Sequence, residues 1–200
     1  MRKGRLFILS GPSGCGKDTI MQLLFARHPE IKLSISSITR PMREGEVEGE
    51  KYHFISREEF EDLLQKDMFL EHNVFVGNYY GTPRQPVIDC IESGTDIILE
   101  VDVNGADIVR GKVPDAVSIF IMPPSISSLN ERLHKRGTET EETIVKRITQ
   151  AENEIKRADK YDYIVINDNL EKAVDDVISI ITSDRLRFER NTNIINEVLK

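Results

Sequence analysis

The chain has only two cysteines, Cys15 and Cys90, among 200 residues. Two cannot build a disulfide framework, and their spacing is not that of a metal site. They read as free thiols in a reducing compartment. No apolar run approaches the roughly 18 residues of a membrane span. The stretch Leu6-Phe7-Ile8-Leu9 behind a basic start is too short for a signal peptide and reads as a first strand. The expected location is cytoplasmic. Positive charge is also scarce: 27 Lys and Arg face 34 Asp and Glu, a net charge of −7. That argues against sequence-independent binding of DNA or RNA, which uses a strongly basic face. There is no acidic tail, basic arm, internal repeat or low-complexity linker. With 39% hydrophobic and 30% charged residues, the composition is that of an ordinary globular chain. Its length suits one domain carrying a small insert, able to bury about 70% of its surface.

What is present is an alternation of short apolar runs with helical patterns. Leu6–Ser10 reads as a buried strand, followed by a glycine-rich turn and a helix from Lys17 to about Arg27. Ile97–Val101, Ile119–Met122 and Tyr163–Ile166 are further strands of the all-apolar type. Helical stretches follow them at about 106–111, 126–136 and 170–190. This pattern predicts an α/β fold with a parallel sheet flanked by helices. Residues 36–83 break the rhythm, with more charge, Gly and Tyr. They read as a mixed α+β insert: strands at 51–55 and 69–76 and a helix at 57–64, its start capped by Ser56 with Glu59. The core is then 1–35 and 84–190. Within it, two helices at about 126–156, joined by the polar stretch 136–140, suit a mobile helical lid. Thr138 with Glu141 is the expected cap of the second. Residues 191–200 form an extension whose Ile194, Ile195, Val198 and Leu199 make a short amphipathic pattern. It could dock on its own chain, the simpler choice, or on a partner.

Gly11-Pro12-Ser13-Gly14-Cys15-Gly16-Lys17-Asp18-Thr19 lies between a predicted strand and a predicted helix, the context a P-loop needs. Its glycines let backbone N–H groups wrap phosphate oxygens at a helix N-terminus, and Lys17 adds a full charge. Asp18 stands where a hydroxyl residue usually coordinates Mg²⁺. It is either a solvated first-turn carboxylate favoured by the helix dipole or a water-mediated metal contact. Cys15 sits among N–H groups that would favour a thiolate, although a small residue that happens to be Cys is the plainer reading. A P-loop implies a nucleoside triphosphate but not the reaction. For the acceptor, Arg40 and Arg43 stand three apart beside hydroxyls, and guanidinium forks match phosphate oxygens in pairs. Tyr52 and Tyr80 could add hydroxyl donors.

These stretches together resemble the guanylate kinase family nearly end to end, from Gly4 to about Arg190. The resemblance is carried by the loop, by Ser36–Arg43, Gly45-Glu46, Tyr52-His53-Phe54, Gly77–Pro83, Leu99–Gly105, Pro123-Pro124-Ser125, Arg136–Glu142 and Asn167-Asp168. It implies transfer of the ATP γ-phosphoryl group to GMP or dGMP, with Mg²⁺ on the ATP phosphates. The insert 36–83 would then be the GMP-binding lobe. Residues Gly11–Thr19 (Gly11, Pro12, Ser13, Gly14, Cys15, Gly16, Lys17, Asp18, Thr19) match the ATP loop, and Asn167 and Asp168 the edge of the adenine site. Ser36, Arg40, Arg43, Tyr52 and Tyr80 match residues holding the GMP phosphate. Glu71 and Asp102 match carboxylates that read guanine, and Thr82 a hydroxyl facing guanine O6. The chemistry fits, because guanine offers N1–H and the 2-amino group as donors and a carboxylate only accepts. Adenine would leave the carboxylates facing an acceptor. Glu100, at the C-terminal end of an apolar strand beside the P-loop, is placed to orient Mg²⁺ through water and matches a position among the GMP-binding residues where the family often has an acid. Arg132, Arg136 and Arg147 match lid arginines that swing in to neutralise the moving phosphoryl group, with Lys17 and Arg40 also catalytic. The expected partners are the two nucleotides, with no nucleic acid or membrane, in a monomer or homodimer. Two rivals share the resemblance. A kinase of the same fold acting on ribose 1,5-bisphosphate has no base to read, which Glu71, Asp102 and Thr82 weigh against. A non-catalytic scaffold domain would show a degraded phosphate loop, whereas Gly16-Lys17 is intact here.

Overall fold

A computed structural model describes residues 3–135 and 140–200. The elements run β1 (Leu6–Ser10), α1 (Lys17–Arg27), β2 (Lys32–Leu33), β3 (Ser36–Ile38), β4 (Tyr52–Phe54), α2 (Arg57–Gln65), β5 (Phe69–Phe75), β6 (Asn78–Pro83) and α3 (Arg84–Glu92). They continue with β7 (Ile97–Glu100), α4 (Val103–Lys112), β8 (Val117–Met122), α5 (Ile126–Lys135), α6 (Glu141–Ile155), β9 (Tyr163–Ile166), α7 (Leu170–Arg185) and α8 (Ile194–Val198). The larger sheet has the strand order β2-β7-β1-β8-β9, with β2 parallel to β7 and β8 parallel to β9. The fold class is therefore the expected α/β one.

The chain divides into two compact units. One holds residues 9–29 and 118–200 with Lys3, and the other residues 4–8 and 30–117. In the first, Ile20, Met21 and Leu24 make the buried face of α1. Arg27, on the same stripe of the helix as Ile20 and Leu24, pairs with Glu171 and Asp175 of α7. Leu129 and Leu133 of α5 share a core with Ile144, Ile148 and Ala151 of α6. β9 departs from expectation: only Val165 is buried, while Tyr163, Ile164 and Ile166 are exposed. It is the last strand of the sheet, and among the described residues β8 is the strand it pairs with. The cap of α6 is Thr140, whose hydroxyl accepts from Thr143 N–H. The expected cap Thr138 lies outside the described residues.

In the second unit a four-stranded sheet has the order β4-β3-β6-β5, parallel between β3 and β4 and antiparallel elsewhere. The rings of Phe69, Phe60 and Tyr79 stack, with centroids 4.4 and 4.9 Å apart on either side of Phe60. Gly81 passes directly against this stack, and a Cβ there would lie 2.8 Å from Phe60. Ser56 caps α2 as expected, accepting from Glu59 N–H at 3.0 Å. A register shift between Phe69 and Glu71 makes Phe69, Leu70 and Glu71 all buried, although alternation would turn Leu70 outward. The bulge is what carries a carboxylate indoors.

Candidate active site

In the first unit, Gly11–Gly16 join β1 to α1, and Gly16 at φ +96° begins the helix. A side chain at Gly16 would collide with Asn167, whose Nδ2 is 2.4 Å from an ideal Cβ. Lys17 reaches back over the loop, donating to Gly11 O at 2.7 Å and Pro12 O at 3.3 Å, and lies 3.8 Å from the buried Cys15 Sγ. Ser13 Oγ accepts from Arg147 of α6. Gly14 packs near Leu129 and Leu133 of α5. Asp18 and Thr19 are exposed in the first turn of α1. Arg132 donates to Cys15 O at 3.2 Å and to Asn167 O at 2.8 Å. Two backbone carbonyls, one on the loop and one just after β9, thus hold its guanidinium. Asn167 is buried and donates to Cys15 O at 2.8 Å, whereas Asp168 is exposed and accepts from Asn169 N–H. Arg136 lies outside the described residues.

In the second unit, register places Ser36 beside Tyr52 and Tyr80 beside Ile38. Arg40 is buried and lies 5.4 Å from the Tyr52 ring and 5.6 Å from the Phe54 ring. Its guanidinium grips Glu46 with two bonds, 2.7 and 2.5 Å, and a third goes to Pro41 O. The Arg40 bonds, joined by Arg43 N–H, pull the Glu46 carboxyl down to about 2. Arg40 Nε is buried without a hydrogen-bond partner. A buried cationic donor left over in this way is what an anion's oxygen would satisfy. The Arg43 side chain is exposed.

Glu71 is 6% exposed and accepts the Thr82 hydroxyl at 2.6 Å. Burial pushes its carboxyl above the usual range, against the lowering effect of that hydrogen bond. Thr82, fully buried, spends its one proton on Glu71 and so is not free to donate to guanine O6 without rotating. Glu71 and Asp102 converge on Gly105, whose ideal Cβ would be 3.2 and 3.4 Å from their oxygens. Asp102 is exposed and caps α4, accepting Gly105 N–H at 2.7 Å and Asn73 Nδ2 at 2.8 Å. Of the two carboxylates, Glu71 is buried and Asp102 exposed.

Sequence reasoning gave no role to Glu46 or Asn73. An acid set between Arg40, Arg43 and the following loop is a signal that could have found Glu46. Asn73 and Asp102 are far apart in the chain, and only strand placement joins them.

Among the described residues, no group of three or more His, Cys, Asp or Glu is arranged to hold a metal ion. Mg²⁺ carried by ATP does not require one, since it keeps waters and takes phosphate oxygens with one or two carboxylates. Glu100, at the end of β7, is paired with Lys51 at 2.9 Å. That charge is already balanced, so the residue fits a water-mediated contact better than direct ligation. No helix among the described residues is long and apolar enough to cross a membrane.

The guanylate kinase family model matches residues 3–184. A guanylate kinase of Carboxydothermus hydrogenoformans is 49% identical over 95% of this chain and 93% of its own length. One of Halalkalibacterium halodurans is 50% identical over 94% and 92%. The crystal structure of guanylate kinase from Anaplasma phagocytophilum superposes with a TM-score of 0.77, at 33% identity, over 94% of this chain and 90% of that one. With the family model matched over residues 3–184 and relatives about half identical nearly end to end, the chain belongs to the guanylate kinase family.

Proposed function

We propose that the glycine loop of the first unit holds ATP and the four-stranded sheet of the second holds GMP. The reaction of the family is ATP + GMP giving ADP + GDP, and the protein is an ATP:GMP phosphotransferase. dGMP carries the same base and phosphate that these residues are assigned to hold, so it is the second acceptor to test. The observation that carries the assignment is Glu71. A buried carboxylate beside a second carboxylate rewards a base that presents two donors, which guanine does and adenine does not.

The step is a direct in-line transfer: a GMP phosphate oxygen attacks the γ-phosphorus while the bond to the β,γ-bridging oxygen breaks, leaving ADP. No covalent enzyme intermediate is required. Lys17 and the loop N–H groups hold the triphosphate. Arg147, Arg132 and Arg136 offset the charge of the moving group. Arg40, held rigid by Glu46, offers its remaining donors to the GMP phosphate with Arg43, Ser36, Tyr52 and Tyr80. Mg²⁺ would draw charge from the phosphate oxygens, with Glu100 and Asp18 as the carboxylates able to meet its waters.

The test is a coupled ADP-release assay with GMP, dGMP, AMP, UMP, CMP and ribose 1,5-bisphosphate. GMP and dGMP are expected to turn over far above the others. Turnover with ribose 1,5-bisphosphate alone would move the assignment to a sugar-phosphate kinase, and no turnover with any acceptor to a scaffold role.

A further inference from the structure

We propose that Asn167 is a positioning residue for the phosphate loop, aiming the Gly16 N–H at phosphate by holding the carbonyl of the same peptide. The inference rests on the reading of Gly11–Thr19 as the ATP loop. Asn167 follows β9 and is fixed at three points. Its N–H donates to Met122 O at 2.8 Å, its carbonyl accepts from Arg132 at 2.8 Å, and its side-chain Nδ2 donates to Cys15 O at 2.8 Å. Arg132 donates to the same Cys15 O at 3.2 Å. Cys15 O thus accepts two donors, one of them charged.

The consequence follows from peptide geometry. In a trans peptide the C=O and the following N–H point in opposite directions within one plane. Among the described residues no peptide is cis. Pinning Cys15 O therefore fixes the direction of the Gly16 N–H. Donors on the oxygen also polarise the peptide and strengthen that N–H as a donor. Asn167 presses so closely that a side chain at Gly16 would be 2.4 Å from its Nδ2. Asn167 is 7% exposed, and its Nδ2 is committed to the loop.

The experiment compares the full chain with Asn167→Ala and with the nearly isosteric Asn167→Asp, which turns a donor into an acceptor facing Cys15 O. Binding of ATP, inorganic tripolyphosphate and GMP is measured by calorimetry. Both variants are expected to weaken ATP and tripolyphosphate by the same factor, about tenfold or more from the lost bond to a buried carbonyl. GMP binding is expected to stay within about twofold. A loss confined to ATP would overturn the proposal in favour of a base contact. An equal loss for GMP would make Asn167 merely structural, and no loss at all would remove any role. Failure of the unaltered protein to bind tripolyphosphate would instead sink the loop assignment itself.

Discussion

Glu71 is the buried carboxylate among the residues assigned to the acceptor, and burial works against its ionised form. Burial raises its carboxyl pKa, Thr82 partly offsets this, and the charge of Asp102 adds to the rise. A folded-state value above the unfolded one favours the protonated native state. Stability from this group is thus full below the ordinary carboxylate range and is lost as pH rises through the raised value. Glu71→Gln cannot ionise. Its unfolding midpoint should therefore gain on the unaltered protein as pH is taken from about 4.5 to 8. A difference independent of pH would show that Glu71 carries no such burden. The same variant should lose about tenfold to a hundredfold in kcat/KM for GMP, because the amide brings a donor to where guanine donates. AMP should lose less, so the GMP to AMP ratio shrinks; an unchanged ratio would remove Glu71 from base reading. Glu46 is no rival source of pH dependence near neutrality, since its carboxyl, pulled to about 2, stays ionised throughout that range. Asn73 should have a milder effect. It steadies Asp102 from Oδ2, and the Asn73 amide is itself oriented because its oxygen accepts Val74 N–H. Water can replace it at an exposed carboxylate, so Asn73→Ala should raise KM for GMP about two- to fivefold with kcat unchanged. A fall in kcat alone would contradict this role.

At the scale of elements, the continuous apolar runs were the legible part. β1, α1 and β9 have the bounds that the sequence suggests, because a buried strand before a glycine turn has few alternatives. The start of α4 was less clear. It begins at Val103 behind its cap Asp102, three residues before the apolar periodicity does. β2 is two residues long and has no periodicity to detect. α3 was hidden by Pro86, a helix breaker elsewhere but harmless in a first turn, where its missing N–H has no helical partner. The bulge in β5 was invisible because it depends on the partner strand, and it is the device that buries Glu71. The glycine loop and its place between β1 and α1 could be read in advance. The ties that hold it, such as Asn167 on Cys15 O, could not, since hydrogen bonds to a carbonyl leave no residue pattern. Gly81 tests how tightly the four-stranded sheet is packed. A methyl group at Gly81→Ala would meet Phe60 at 2.8 Å and Phe69 at 2.9 Å, both buried rings in a stack. The expected cost is about 1–3 kcal/mol in denaturant unfolding. A neutral result would mean that the rings yield freely.

Across the whole chain, a charge of −7 says little about where the cations act. Lys17, Arg132 and Arg147 gather on backbone oxygens and a hydroxyl of one unit, and Arg40 is neutralised by Glu46 in the other. The C-terminal segment poses a similar question about apolar residues. Its pattern suggested docking on its own chain, yet Ile194, Ile195, Val198 and Leu199 are all at least half exposed. What anchors this end is polar and earlier. Arg190 pairs with Asp184, both nearly fully buried, and donates to Lys3 O, while Asn191 bonds to the carbonyls of Arg185 and Arg187. The boundary between structural and dispensable sequence should therefore fall just after Asn191. A chain ending at Thr192 is expected to keep its unfolding free energy within about 0.5 kcal/mol, with kcat and both KM values unchanged. Arg190→Ala should instead cost about 3–5 kcal/mol, because Asp184 would stay buried without its guanidinium. Denaturant unfolding of the two variants side by side decides the matter. If the truncation proved the more damaging, the exposed apolar residues would be covered by something that matters to the fold, and the polar anchor would be secondary.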